Sequence, residues 1–146
     1  MIETLEPKIE RIPFDAAITS DSVVQVVPIE AGDSAVDLYR RFGGVSNACR
    51  AGEDVAAIVS TAILNTPDHV SATGGRRDDV TFEIEVEIRR FDGPIRANDP
   101  WIALIRMDLG PLHAGVYELI VRETEFRFSE MGHRKGRRVQ LTTSDA

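Results

Sequence analysis

From Val80 to Arg90 the chain reads VTFEIEVEIRR, apolar at Val80, Phe82, Ile84, Val86 and Ile88 and polar or charged at the positions between. A period of two puts the apolar set on one face of a strand and Glu83, Glu85 and Glu87 on the other. That is the pattern of an antiparallel strand covering a core on one side and meeting water on the other. The run WIALIRMDL repeats the rhythm: Trp101, Ala103, Ile105, Met107 and Leu109 share a face, while Arg106 and Asp108 mark the opposite one. Pro100 stands at its entrance, where a missing N–H removes no ladder bond. Between the two runs, FDGPIRANDP is rich in turn formers. Further on, VYELIVR turns Tyr117, Leu119 and Val121 inward, whereas Phe126 and Phe128 have the other parity. A turn over Arg122 to Glu125, followed by a short last strand EFRFS, accounts for the change.

Upstream, SVVQVVPIE is β-branched and predicts a first strand ended by Pro28. AVDLYRRF fits either a strand or a short helix with Ser34 as its N-cap. DVAAIVSTAILN carries a helical stripe through Val55, Ile58, Val59, Ala62 and Ile63, but its β-branched content favours a strand buried on both faces. NTPDHVSATGGRRDD, Asn65 to Asp79, reads as a long loop, and the polar tail from Glu130 reads as an arm with a short VQL near its end. The chain is thus expected to be one domain with its core over about 18–129 and with arms at 1–15 and 130–146. Several strands separated by turns predict an all-β, two-layer antiparallel sandwich of about seven strands.

One stretch suggests how such sheets are clamped together. In LGPLHAGVYELIV a tyrosine opens a late strand, the setting of a tyrosine corner, whose hydroxyl bonds back to the main chain a few residues upstream. Leu112 would plug the core edge, Gly115 would permit the close turn and Tyr117 would make the bond. Trp101 and Cys49 join them as expected structural positions.

FGGVSNAC (Phe42 to Cys49), LGPLHAGVYELIV and the terminal FRF together resemble a family of immunoglobulin-like β-sandwich domains found in bacterial hypothetical proteins and lipoproteins. There a G-x-x-x-N-x-C element follows an early strand, and an L-G-x-L-x-x-G-x-Y element precedes the last hairpin. The matching positions are Gly43 or Gly44, Asn47 and Cys49, then Leu109, Gly110, Leu112, Gly115 and Tyr117. The resemblance covers roughly residues 20–129 and implies an immunoglobulin-like Greek-key sandwich, with no activity attached to it. Family members often carry a second cysteine ahead of the strand corresponding to WIALIRMDL, and GPIRANDP here has none.

Composition narrows the classes. A chain of 146 residues with 42% hydrophobic and 28% charged residues suits a single soluble globular domain. No apolar run is long enough for a membrane-spanning helix. A net charge of -7 argues against general affinity for nucleic acid. MIETLEPKIERIPF lacks the pattern of a signal peptide, so the chain is expected to be cytoplasmic, or extracytoplasmic if a leader has been removed. With Cys49 as the single cysteine, no intrachain disulfide can form.

The chemistry-bearing residues are scattered. His69, His113 and His133 have no zinc-ligand spacing. Asp68, His69, Asp78 and Asp79 offer a candidate cation loop, weakened by Arg76 and Arg77 within it. Cys49 beside Arg50 is a candidate nucleophile, with a buried structural thiol as the plainer reading. No G-x-S-x-G elbow and no glycine-rich phosphate loop occurs. Glu83, Glu85 and Glu87 read as a wet sheet face answered across strands by Arg89 and Arg90. HRKGRR, holding Arg134, Lys135, Arg137 and Arg138, is the densest basic cluster, but it has no interleaved aromatics to stack bases.

No catalytic set, cofactor site or metal site is expected. The leading expectation is a non-catalytic module that contacts another macromolecule, or a second copy of itself, by loops or an exposed sheet edge. The alternatives are an enzyme or metal-binding protein using the 65–79 loop with Cys49, and nucleic-acid contact through 133–138.

Overall fold

The computed structural model describes residues 2–14, 24–29, 34, 48–95, 97–127 and 130–144. Among these no residue is helical, and the strands are β1 (Glu3–Thr4), β2 (Lys8–Pro13), β3 (Val24–Pro28), β4 (Ala48–Arg50), β5 (Asp54–Ser60), β6 (His69–Asp78), β7 (Thr81–Arg89), β8 (Trp101–Pro111), β9 (Gly115–Arg127) and β10 (Glu130–Ser144). They form a six-stranded sheet, ordered β1-β6-β7-β9-β10-β4, and a four-stranded sheet, ordered β2-β8-β5-β3. The all-β expectation holds, with ten strands among the described residues where about seven were expected. AVDLYRRF and the FGGVSN part of the upstream motif lie at 35–47, outside the described residues, as do Phe128 and Ser129.

A single apolar cluster draws on both sheets. Val26, Val55, Ala57, Val59, Trp101, Ala103, Ile105 and Met107 come from the smaller sheet; Phe82, Ile84, Val86, Ile88, Tyr117, Leu119, Val121 and Leu141 come from the larger one. These are the inward positions that the period-two rhythm assigns in β7, β8 and the first half of β9. Val80 is the exception: it sits in the β6–β7 turn and is 51% exposed. In the smaller sheet the second face is buried too, where Ile12, Val27, Ala56, Ile58, Ile102 and Leu104 form a separate cluster. That explains why β5 reads as an apolar run with no alternation, and it resolves the helix-or-strand ambiguity of 54–60 in favour of the doubly buried strand. β8 is therefore apolar on both faces along its first half, and the polar pair Arg106 and Asp108 joins to itself at 2.7 Å.

Pairing is not purely antiparallel. β7 runs parallel to β9, and β4 runs parallel to β10. Between β7 and β9 the chain crosses to the smaller sheet as β8, which pairs with β5 and β2 there. A crossing of that kind returns the chain in its original direction, so the neighbours are parallel.

Three segments depart from the sequence expectations. Residues 69–78, expected within a loop, form β6, paired with β7 along its length. Gly74 and Gly75 look like turn formers, yet a Cβ on Gly74 would lie 2.5 Å from the Met107 sulfur and 2.8 Å from the Glu83 carbonyl oxygen. Glycine is there for close packing between the sheets, and the real turn follows at Asp79 and Val80. The expected turn at 122–125 is absent, because β9 runs unbroken to Arg127. Its parity change is real but has another cause: past Val121 the inward positions hold Glu123 and Glu125, while Phe126 lies on the outer face under the Arg89 guanidinium, 4.5 Å from its ring centroid. Residues 130–144, expected as an arm, pair with β9 as β10 and send Leu141 into the core. The N-terminal arm likewise contains β1 and β2.

Gly110 has a φ of 79°, in the left-handed region, where the β5–β8 register slips between Val55 and Ala56. Asp108 and Gly110 face consecutive β5 residues, so Leu109 is the extra residue of a bulge, and glycine supplies the left-handed backbone beside it.

Candidate functional site

Around the crossing loop between β8 and β9 the tyrosine corner forms. The Tyr117 hydroxyl donates to the His113 carbonyl at 2.9 Å, and the Thr143 hydroxyl of β10 donates to the same oxygen at 2.6 Å. Leu112 is buried, and its carbonyl accepts the Gly52 N–H at 2.9 Å. Gly115 opens β9, and its carbonyl lies 3.3 Å from the Thr143 hydroxyl. The loop is thus tied to β9, β10 and the β4–β5 turn, and its motif serves packing. Tyr117→Phe is expected to cost about 1 kcal/mol, because Thr143 keeps the shared carbonyl bonded. Adding Thr143→Val removes both donors and should cost more than the sum of the single changes. Urea denaturation of the three variants checks this; simple additivity would mean that the two hydroxyls act independently.

Trp101 and Cys49 are buried in the same core. The Trp101 indole N–H donates to the Asn65 carbonyl at 2.7 Å, and the Arg11 guanidinium lies 4.2 Å from its ring centroid. Burial, reinforced by the charge of Glu53, pushes the Cys49 thiol up to about 11. The thiolate is therefore scarce at neutral pH, the opposite of what a nucleophile needs. Cys49 sits on β4 and the 69–78 segment on β6, four strand positions apart in the larger sheet, or roughly 19 Å at the usual strand spacing. The structure does not bring them together. It also separates Asp68 and His69 from Asp78 and Asp79, which lie at opposite ends of β6, roughly 30 Å apart. Asp78 instead accepts the Val80 N–H at 3.0 Å, a bond that, with help from Thr81, holds its carboxyl below the ordinary range.

The most buried ion-pair cluster among the described residues joins side chains distant in sequence. The Arg90 guanidinium, at the end of β7, bonds Asp68 at 2.9 Å and Glu125 of β9. It also reaches the Ile63 carbonyl at 3.2 Å. Asp68 in turn accepts the N–H groups of Asn65 and Phe91, each at 2.8 Å. Burial pushes the Asp68 carboxyl up, but the two main-chain donors and Arg90 outweigh it and hold it below the ordinary range. At Glu125 burial is likewise outweighed, here by Arg90 and then Arg127. Arg90 therefore does not answer the glutamate row as expected. Glu83 is met by Arg77 at 3.2 Å and Arg122 at 3.6 Å, and Glu87 by Arg89 on its own strand at 3.7 Å. A shallow concavity of about 360 Å³ beside the cluster is lined by Asn65, Arg90, Phe91 and Arg127. Both of its arginines are engaged by Glu125. It reads as a clasp joining the 65–68 turn to the larger sheet.

The basic residues fall in two places. Arg76 donates to the carbonyls of Asp78 and Asp79 at 3.2 and 2.7 Å, and Arg77 pairs with Glu83, so both brace the β6–β7 hairpin. Arg134, Lys135, Arg137 and Arg138 lie along β10, opposite Thr124, Glu123, Val121 and Ile120. Strand alternation places Lys135 and Arg137 on the face that carries Val139 and Leu141, and Arg138 on the other, so the cluster does not present one continuous basic face. Arg138 pairs with Glu118 at 3.2 Å. Next to it a second concavity of about 360 Å³ is lined by Val80, Thr81, Val116, Tyr117, Glu118, Arg138, Val139 and Gln140.

β10 is covered unequally on its two sides by the described strands. Glu130, Met131 and Arg134 to Thr143 pair with β9 on one side, and β4 meets Thr142, Thr143 and Ser144 on the other. The segment that the sequence presents as a polar tail is thus a fifteen-residue strand of the larger sheet. Its signal was present as the alternation of Arg137, Val139, Leu141 and Thr143.

Among the described residues no three histidine, cysteine, aspartate or glutamate side chains group as metal ligands, and no helix is long and apolar enough to cross a membrane. Comparison with family models, curated proteins and solved structures finds no match to this chain.

Proposed function

We propose that the protein is a non-catalytic β-sandwich module that docks another polypeptide at a sheet edge. The observation that carries this reading is that, among the described residues, β2 ends the smaller sheet, paired with β8 on one side and with no strand on the other. Unpaired N–H and C=O groups along an edge give a docking strand its affinity through main-chain bonds, and the alternating side chains supply the selection.

We read the fold as immunoglobulin-like and Greek-key. Support comes from the bond between Tyr117 and His113, and from the pairing of β5 with β8 in one sheet while β9 and β10 pair in the other. The parallel β7–β9 pair is the point of departure from the immunoglobulin scheme, whose central pairs are antiparallel.

The test is a library of extended peptides, screened against the isotope-labelled protein by amide chemical-shift mapping. Peptides that bind are expected to perturb amides along an edge strand and to lose affinity when their N–H groups are methylated at alternate residues. Binding confined to loops, or no binding by any peptide, overturns the proposal.

A further inference from the structure

Glu125 holds two guanidinium groups together at the end of the larger sheet. Its Oε1 accepts from Nε of Arg90 and lies 3.3 Å from both Nε and Nη2 of Arg127, so two like charges converge on one oxygen. Arg90 uses Nε there and Nη1 on Asp68 and the Ile63 carbonyl. Nη2 of Arg90 and Nη1 of Arg127 are left with no partner among the described residues. Asn65 is in the same condition: its side-chain oxygen accepts from Asn98 and its main-chain oxygen from Trp101 and Asp68, while its side-chain nitrogen has no such partner. These three residues and Phe91, itself 47% exposed, form the described lining of the concavity of about 360 Å³. Asp68 and Glu125 do not line it. The described wall therefore carries donors and one aromatic ring, and no carboxylate.

We infer that this concavity binds a small organic monocarboxylate, its carboxylate on the unused nitrogens of Arg90 and Arg127 and its apolar body against the Phe91 ring. A guanidinium presents its donors in a planar fork that a carboxylate matches. The two groups are also preorganised: Glu125 fixes their separation before a ligand arrives, so little ordering remains to oppose binding. Charge then selects the ligand class. Arg90 and Arg127 are balanced by Asp68 and Glu125, so no excess positive charge holds a polyanion there, and a phosphate dianion would be left uncompensated. A single carboxylate gains charge-assisted bonds to donors that otherwise meet water. Arg90, 20% exposed, is the stronger anchor because its bond forms partly out of water, and Arg127, 60% exposed, adds less. The volume lies near the lower end of the range for ligand sites, roughly 300–1,000 Å³, which keeps the apolar body small. None of these residues belongs to β2, so the outcome at this site leaves the edge-docking reading untouched.

The experiment titrates the whole chain with benzoate, benzamide, acetate and inorganic phosphate at constant ionic strength, followed by amide shifts. Benzoate is expected to shift the amides of Asn65, Arg90, Phe91 and Arg127 with a Kd on the order of 1 mM. Benzamide, of the same shape without the charge, should bind at least roughly fivefold more weakly. Arg127→Gln should weaken benzoate roughly three- to fivefold. Phe91→Ala should weaken benzoate and leave acetate, which has no ring, unchanged. Both side chains are well exposed, and thermal denaturation verifies that the variants fold; should Arg127→Gln not fold, benzamide and Phe91→Ala decide. Benzamide binding as tightly as benzoate shows a hollow that takes rings without recognising a carboxylate, and overturns the inference. Phosphate binding as tightly as benzoate reduces the site to a general anion site and also overturns it. The same follows if benzoate shifts none of the four amides, or if its affinity is unchanged in a folded Arg127→Gln or Phe91→Ala chain.

Discussion

Asp68→Ala is expected to lower stability by about 3 kcal/mol, the lower end of the range for breaking a buried ion pair. The Asp68 side chain is 1% exposed, and it holds the Asn65 and Phe91 N–H groups and the Arg90 guanidinium. Removing it orphans two main-chain donors and leaves Arg90, 20% exposed, with Glu125 as its remaining carboxylate. The loss should exceed that of Arg138→Ala by a wide margin, since the Arg138–Glu118 pair is largely in water, where such pairs contribute little. Asp68→Asn should fall between: its oxygen can still accept one N–H, but its amide group turns a donor toward another donor. Chemical denaturation at neutral pH ranks the variants. An Asp68→Ala loss no larger than that of Arg138→Ala would remove the clasp from any account of this fold.

The same cluster sets the acid limb. The carboxyls of Asp68 and Glu125 are both held below their ordinary values of 3.8 and 4.5. Their contribution is therefore complete above those values and is lost as pH falls through the depressed folded-state values. Glu123 runs the other way: burial pushes its carboxyl up, despite Lys135 and Arg137. Its contribution is complete below 4.5 and is lost as pH rises through the elevated value. In the Asp68→Ala variant the fall in stability toward low pH should be shallower than in the parent chain.

How far the sequence could be read depends on what fills each face. β7 and β8 were legible because one alternating apolar set meets one core, and Tyr117 because its motif is local. β6 was hidden by Gly74, whose absent side chain is a tertiary requirement imposed by Met107 and the Glu83 carbonyl. The far half of β9 was hidden because Glu123 and Glu125 take inward positions, so an unbroken strand reads as a change of phase. The clasp joins Asp68, Arg90 and Glu125, far apart in sequence, and their identities carry no sign that they meet. In β10 the density of charge masks the alternation. Its four basic residues look like a solvated tail, whereas Val139 and Leu141 at period two anchor it to the core. β10 is thus the element in which composition and periodicity disagree, and periodicity decides the backbone.

Gly74→Ala is expected to cost about 2–3 kcal/mol, near the upper end for overpacking a filled core, although alanine is the smallest side chain that can be added. Its Cβ would meet two different obstacles: the Met107 sulfur at 2.5 Å, at the end of a flexible side chain, and the Glu83 carbonyl oxygen at 2.8 Å, part of the β6–β7 ladder. Methionine can change rotamer, but Met107 is fully buried and has little room to do so. The main-chain oxygen can retreat only by opening the pairing of Gly74 with Ile84 and its neighbours. A double-mutant cycle with Met107→Ala separates the two. Truncating Met107 alone should cost about 2–5 kcal/mol by opening a cavity. If the sulfur is the main obstacle, the combined variant should lose less than the sum by at least roughly 1 kcal/mol, because the new methyl enters that space. If the carbonyl is the main obstacle, the losses should add, and β6 amides should exchange with solvent faster in every variant that carries the alanine. A Gly74→Ala chain as stable as the parent would show that the sheets are not in close contact at this point, and that the glycine marks a break in the strand as its sequence alone suggests.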